Sequence, residues 1–352
     1  MKLRLLLVAL LGVGLAAYLI FSIGFAAVFS AALRVGWSGF AVICAYGLVL
    51  YVVLGGAWNA LVPDEGWRRL KVFVWGRIVR DSAAEVLPFS QVGGFVIGAR
   101  ATILRGVQAP IAFASTIVDI TTEMMSQIAY VALGLALLLE RAPMTPFTVS
   151  LVSALLVGLV GAAVVGGIFI FLQQRGTWLT DKLASRALPN TIAHAAAIAE
   201  ALSAIYRAPR RVALSLAIHL VAWIASAAGS WIALRLMGVN VDLLAVIALD
   251  SLVYAIRSAA FVVPNALGVQ EAAYATLAPL LGVGPELGVA LSLLKRARDI
   301  AIGIPTLLIW QAMEGGRAFT DGQSDGEFLR NPPPPERGRT DAAQPRPGGG
   351  HY

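Results

Sequence analysis

The chain opens MKLRLLLVALLGVGLAAYLIFSIGFAAVF: two early basic residues, Lys2 and Arg4, then no charge over a length that can cross a bilayer. Crossing the hydrocarbon core takes about 20 apolar residues in a helix. Within that core every backbone N–H and C=O must find its partner inside the protein, which leaves only helices and closed barrels. Several further uncharged runs of this length follow. The short alternating segments of a membrane barrel, about 10 residues each, do not occur. Composition points the same way. Of 352 residues, 58% are hydrophobic and 13% charged, where soluble domains carry about 25% charge. The expected fold class is all-α, a polytopic membrane helical bundle. A signal peptide's apolar region is about 7–15 residues. The opening run is longer, so it is expected to remain as a first spanning helix with a cytoplasmic N-terminus.

Spanning helices are expected near 4–24, 38–58, 112–139, 147–172, 211–237 and 286–311. Two further regions, roughly 72–105 and 242–281, are apolar but broken. Each has a proline near its middle (Pro88, Pro264) with glycines close behind (Gly93, Gly94; Gly268). Proline removes a backbone donor and disfavours helix at the residue before it, and glycine permits the turn. Arg68, Arg69, Lys71, Arg77 and Arg80 follow the second span, and Arg175, Lys182, Arg186, Arg207, Arg210 and Arg211 follow the fourth. Both groups fall on the cytoplasmic side if 72–105 returns to its own side. The expected setting is a bacterial inner membrane with both termini cytoplasmic. The net charge of +7 then belongs to loops and does not imply a nucleic-acid partner.

Smaller features carry weaker expectations. Residues 191–206 place Ile198, Leu202 and Ile205 on one face, as in an interfacial helix or one packed on the bundle. Gly158, Ala162 and Gly166 form a small-residue stripe of the kind that packs helices closely. Trp37, Trp58, Trp67 and Trp310 lie near helix ends, as aromatic belts do. From Glu314 onward glycine, proline and charge dominate. Residues 314–352 are expected to be a disordered cytoplasmic tail behind a transmembrane domain of 1–313.

The broken segment occurs twice. SAAEVLP at 82–88 meets SAAFVVP at 258–264 under a shift of 176, and Gly106-Val107 then meets Gly282-Val283. The repeat units run over about 38–139 and 211–311, each reading helix, broken segment, helix. Three crossings, 38–58, 112–139 and 147–172, lie between the start of one unit and the start of the next, so the units should be antiparallel. Inverted repeats with interrupted helices mark transporter-type proteins, with the site between the broken elements.

Charge at membrane depth marks the candidate site. Asp119 and Glu123 lie four apart on one helical face, so one must be protonated or a cation must be near. Lys295, Arg296, Arg298 and Asp299 lie on the repeat-related helix. Asp250, Arg257 and Glu271 belong to the second broken segment, and Arg80, Asp81, Glu85 and Arg100 to the first. Each unpaired charge here costs about 2.5–3.5 kcal/mol even on insertion scales. The set fits a polar cavity for a charged headgroup or for protons; it also fits ion pairs that lock helices, such as Lys295 with Asp299. Arg80, Asp81 and Arg105 could instead sit at the interface. No catalytic, metal or cofactor constellation is expected. Cys44 is the one cysteine, and His194, His219 and His351 are scattered.

Residues 262–300, VVPNALGVQEAAYATLAPLLGVGPELGVALSLLKRARDI, resemble the membrane domain of the lysylphosphatidylglycerol synthase and flippase superfamily. The matching features are Pro264, Gly268-Val269-Gln270-Glu271-Ala272, Gly282-Val283 and Arg296. Pro88, Gly94 and Arg100 resemble the family's earlier pattern, although Phe95 stands where an acidic residue is common. Within the superfamily the chain looks most like the branch associated with hopanoid biosynthesis. The resemblance implies a lipid flippase or transporter acting on a membrane lipid or lipid-linked precursor. A membrane-embedded lipid-modifying enzyme and a scaffold of a biosynthetic complex are the rivals. Only a short tail follows the membrane region here, so the aminoacyl transfer of the synthases is not expected. On this reading Arg100, Arg257, Glu271 and Arg296 bind substrate. Asp119, Glu123, Lys295, Arg298 and Asp299 balance charge or move protons.

Overall fold

The structure, a computed structural model, describes residues 25–62, 69–86, 91–175 and 189–330. The expected first span at 4–24, Pro88, Trp67 and His351 lie outside them. The described elements are α1 (Phe25–Arg34), α2 (Gly36–Leu61), α3 (Leu70–Val86), α4 (Gln91–Ile103), α5 (Ala109–Arg141), α6 (Pro146–Gln174), α7 (Pro189–Tyr206), α8 (Pro209–Leu236), α9 (Leu243–Ala259), α10 (Val269–Leu277) and α11 (Pro285–Arg330), with short 3-10 turns at Pro264–Ala266 and Ala278–Leu281. No strand occurs among the described residues, and the protein is a membrane helical bundle. Four helices, α2, α5, α6 and α8, are long and apolar enough to cross. The span expected at 286–311 is the start of α11. It is helical as expected, but Lys295, Arg296, Arg298 and Asp299 make it too polar to stand alone in lipid.

Both broken segments fold as helix pairs whose second helix is too short to span. At about 1.5 Å per residue, the 13 residues of α4 and the nine of α10 fall well short of a hydrocarbon core of about 30 Å. Their partners α3 and α9 have 17 residues each. Gly93 and Gly94, expected to form the first turn, lie inside α4. Gly94 serves close packing, since a Cβ there would stand 2.7 Å from the Arg80 carbonyl oxygen. Gly98 repeats this against Arg80 Cβ at 2.6 Å, so α4 can lie directly on α3. The second break does depend on its glycine: Gly268 has φ +76 and precedes α10, and the non-glycine residues Asn265 and Ala266 also have positive φ, 48 and 45. Pro264 is buried at the start of this turn.

The repeat survives at the level of elements. Adding 176 to the first residues of α2, α3, α4 and α5 gives 212, 246, 267 and 285; α8, α9, α10 and α11 begin at 209, 243, 269 and 285. Gly106 (φ +91) and Gly282 (φ +81) occupy matched left-handed turns ahead of α5 and α11. The first helices of the two units touch: Tyr46 of α2 donates its hydroxyl to the Ala225 carbonyl of α8 at 2.7 Å.

Of the two settings left open for residues 191–206, α7 takes the one packed on the bundle, with Leu202 and Ile205 buried against Leu61, Ala114 and Val118. Other expectations need correction. The stripe on α6 is mostly unpacked: a Cβ at Gly158 would meet nothing within 4 Å, while Gly166 alone abuts Met125. α6 instead exposes Val157, Val160 and Val165, an apolar surface suited to lipid. Trp58 is fully buried and donates to Ser115 Oγ at 3.0 Å, so it is core and not part of an interfacial belt. The chain divides into compact units of Met1–Leu308 and Ile309–Tyr352. The stretch from Glu314 to Arg330, expected to be disordered, continues α11. Extending an existing helix costs far less than nucleating one. Residues 331–352 lie outside the described residues.

Candidate functional site

A cavity of about 410 Å³ opens among α2, α3, α5, α8, α9 and α11. Helical spacing delivers its polar lining. Arg77, Arg80 and Asp81 share one face of α3 at i, i+3 and i+4, and Glu85 continues it one turn on. Glu123 and Gln127 repeat the spacing on α5, His219 and Trp223 on α8, Tyr254 and Arg257 on α9, and Lys295, Arg298 and Asp299 on α11.

The first charge cluster ties α3 to α5 and α8. Arg80 donates to Asp119 Oδ2 and Glu123 Oε2, both at 2.7 Å. Arg77 donates to Asp81 Oδ2 at 2.7 Å and to Glu123 Oε2 at 3.0 Å. His219 Nε2 lies 3.0 Å from Asp119 Oδ1, with both side chains fully buried. The cation that the Asp119–Glu123 pair requires is therefore a pair of guanidinium groups. Arg77 and Arg80, expected as loop or interface residues, are only 3% and 2% exposed. The Arg80 guanidinium also lies over the Phe95 ring, 5.7 Å from its centroid. Phe95 is the residue that the repeat matches to Glu271, so the first half replaces a carboxylate with an aromatic face.

A second cluster is closed. Lys295 donates to Asp250 Oδ1 at 3.0 Å, to Ser230 Oγ at 3.1 Å and to Tyr274 Oη at 3.0 Å. The expected Lys295–Asp299 pair does not form: Asp299 accepts from Arg298 at 2.7 Å instead. A third set clamps the second break. Arg296 Nε donates to Glu271 Oε1 at 2.6 Å, and its other nitrogens reach the Asn265 and Ala266 carbonyls at 3.2 and 3.3 Å. Glu271 also accepts from the Gly268 backbone N–H at 2.8 Å and from Ser292 Oγ at 2.8 Å. Arg296 and Glu271 thus hold a turn whose carbonyls have no helical partner, and they are not among the residues bounding the cavity. Arg257 joins the two broken segments, bonding Glu85 Oε1 from the first and Asn265 Oδ1 and Gln270 Oε1 from the second. Asn265 Nδ2 adds a bond to the Glu85 carbonyl at 2.8 Å.

Of the residues expected to bind substrate, Arg257 lines the cavity. Arg296 and Glu271 brace its neighbourhood, and Arg100 lies on an exposed part of α4. Of the charge-balancing set, Glu123, Lys295, Arg298 and Asp299 reach the wall, while Asp119 sits fully buried behind it. The sequence reading passed over His219, Trp223 and Tyr254. A lone histidine inside the otherwise uncharged run after Arg211 was the available signal for the first.

No curated protein and no solved structure matches this chain. The sequence profile described as the lysylphosphatidylglycerol synthase TM region matches residues 6–305. A match over most of the chain shows that the chain belongs to that family of lipid-related membrane regions.

Proposed function

We propose that this protein holds the polar headgroup of a membrane lipid or lipid-linked precursor in the cavity and carries it between leaflets, without catalysing a covalent change. The observation that carries this reading is the cavity wall. Arg77, Arg80, Arg257, Lys295 and Arg298 line about 410 Å³ together with Asp81, Glu85, Glu123 and Asp299, inside helices whose outer faces are apolar. Small-molecule sites run from about 300 to 1,000 Å³. This one suits a headgroup, with the acyl chains left among the apolar outer faces. Ion pairs that already neutralise one another can turn toward a phosphate or an amine and close again behind it, which spares an isolated charge from lipid. Both broken segments border the site, and antiparallel units would let it face each leaflet in turn. Arg257, Arg298, Arg77 and Arg80 attract the headgroup; Glu123, Lys295, Asp299 and Asp119 balance charge; Arg296 and Glu271 hold the break. The setting is a bacterial inner membrane, and the chain's likeness to the hopanoid-associated branch of the superfamily supports a substrate from hopanoid-linked lipid metabolism.

The test is reconstitution into phosphatidylcholine vesicles carrying fluorescent phosphatidylglycerol, with lipid exchange followed by quenching of the outer leaflet. R257A and R298A should each lower the protein-dependent rate by about tenfold, the effect of losing roughly 1.4 kcal/mol of headgroup interaction. Wild-type rates in both variants would sink the assignment of the cavity. Lipid analysis of separated leaflets in a deletion strain tests the hopanoid link: unchanged hopanoid distribution removes it.

A further inference from the structure

The first charge cluster does not close at neutrality, and the imbalance points to a site. Arg77 and Arg80 stand against three carboxylates, Asp81, Asp119 and Glu123, all joined by hydrogen bonds or ion pairs. The other ion pairs around the cavity each join one cation to one carboxylate: Lys295 with Asp250, Arg257 with Glu85, Arg298 with Asp299, and Arg296 with Glu271 nearby. An excess negative charge at this depth is costly. The side chain placed to cancel it is His219, fully buried, with Nε2 on Asp119 Oδ1 at 3.0 Å. Its other ring nitrogen, Nδ1, is buried and has no hydrogen-bond partner, and the residue lines the cavity.

We propose that His219 is a proton-binding site coupled to occupancy of the cavity. A proton taken up at Nδ1 turns the imidazole into a cation that neutralises the cluster through Asp119. The new Nδ1–H then lacks an acceptor, and an anionic headgroup oxygen entering the cavity supplies one. Proton and anion thus favour each other's binding, and the coupling is reciprocal. Imidazole is suited to this because its charge changes closest to neutral pH. Asp119 on α5 contacts it, and the titratable groups that line the same cavity are Glu123 on α5, Arg77, Arg80, Asp81 and Glu85 on α3, Tyr51 on α2, Tyr254 and Arg257 on α9, and Lys295, Arg298 and Asp299 on α11. Of these, Asp119 alone bonds the ring directly. This inference rests on the cavity being the lipid site, but the proton site can be tested without it.

The chain contains three histidines, so an H194Q/H351Q chain labelled with ¹⁵N-histidine reports His219 alone. In phosphatidylcholine nanodiscs its ring signals should change from neutral to protonated form as pH falls, and added phosphatidylglycerol should shift the change to higher pH. In vesicles, lipid exchange by the wild-type chain should change with pH, and the H219Q profile should be flat. Ring signals constant across pH overturn the proposal, as does an H219Q chain with the wild-type pH profile. If no lipid exchange occurs at any pH, the transport reading fails while the nanodisc titration still decides the proton site.

Discussion

A single buried cation in this protein is held by several oxygens at once, so its removal is felt mainly by what remains. Lys295 donates to Asp250, Ser230 and Tyr274. K295A leaves Asp250 buried and unpaired, and should cost about 3–5 kcal/mol. Replacing both partners with apolar residues, K295M with D250L, should recover most of it. Unfolding of the detergent-solubilised variants, followed by tryptophan fluorescence, checks both; a double variant as weak as the single would show that the polar pair itself, and not the orphaned charge, sets stability. Ala266 offers the opposite sign. Its φ of 45 is a left-handed conformation that costs a non-glycine residue on the order of 1 kcal/mol. A266G should therefore stabilise the break by a similar amount, visible as a higher unfolding temperature without loss of cavity contacts.

At the scale of elements, the hairpin α3–α4 depends on side chains that are missing. Gly76, Gly94 and Gly98 let the two helices approach until Arg80 fits between them. G98V puts branched carbon where Arg80 Cβ already stands within 2.6 Å of a mere Cβ. Overpacking of this kind costs about 1–3 kcal/mol, and G98V should lower both stability and lipid exchange, whereas G158V on open α6 should change neither. Which elements exist was largely legible from the sequence, because hydropathy and the 176-residue shift are properties of the chain itself. What the glycines do was not legible, since a glycine that permits a turn and one that permits close contact look alike without a neighbour. The same limit applied to charge. The spacing of Asp119 and Glu123 demanded a cation, but Arg77 and Arg80 could be named as that cation only once α3 was seen to lie inside the bundle. Arg296 and Glu271 were recognised as special from their motif, yet their task, holding the Asn265 and Ala266 carbonyls, required the turn to be seen.

For the whole molecule, the bridge between Arg257 and Glu85 is an ion pair by which one repeat holds the other. Charge reversal in either residue, R257E or E85R, should reduce lipid exchange about tenfold, and the double reversal should restore it to within about threefold, the non-additivity expected of directly coupled groups. Three equally impaired variants would show that the residues act separately. Orientation of the units has its own check. Gln108 and Glu286 precede or begin the matched helices α5 and α11. With Cys44 replaced by Ala, a cysteine at 108 and one at 286 should react with a membrane-impermeant maleimide from opposite sides of the membrane; labelling from one side would make the repeat parallel.

The density of charge on α11 also bears on how the protein is made. Lys295, Arg296, Arg298 and Asp299 sit within a stretch of five residues, and the partners of the first two, Asp250 and Glu271, were synthesised just before them. A helix this polar cannot partition into lipid by itself. It must leave the insertion machinery together with α9 and α10, as one neutralised package. The ion pairs that brace the finished protein would then have served earlier as the condition for α11 entering the membrane.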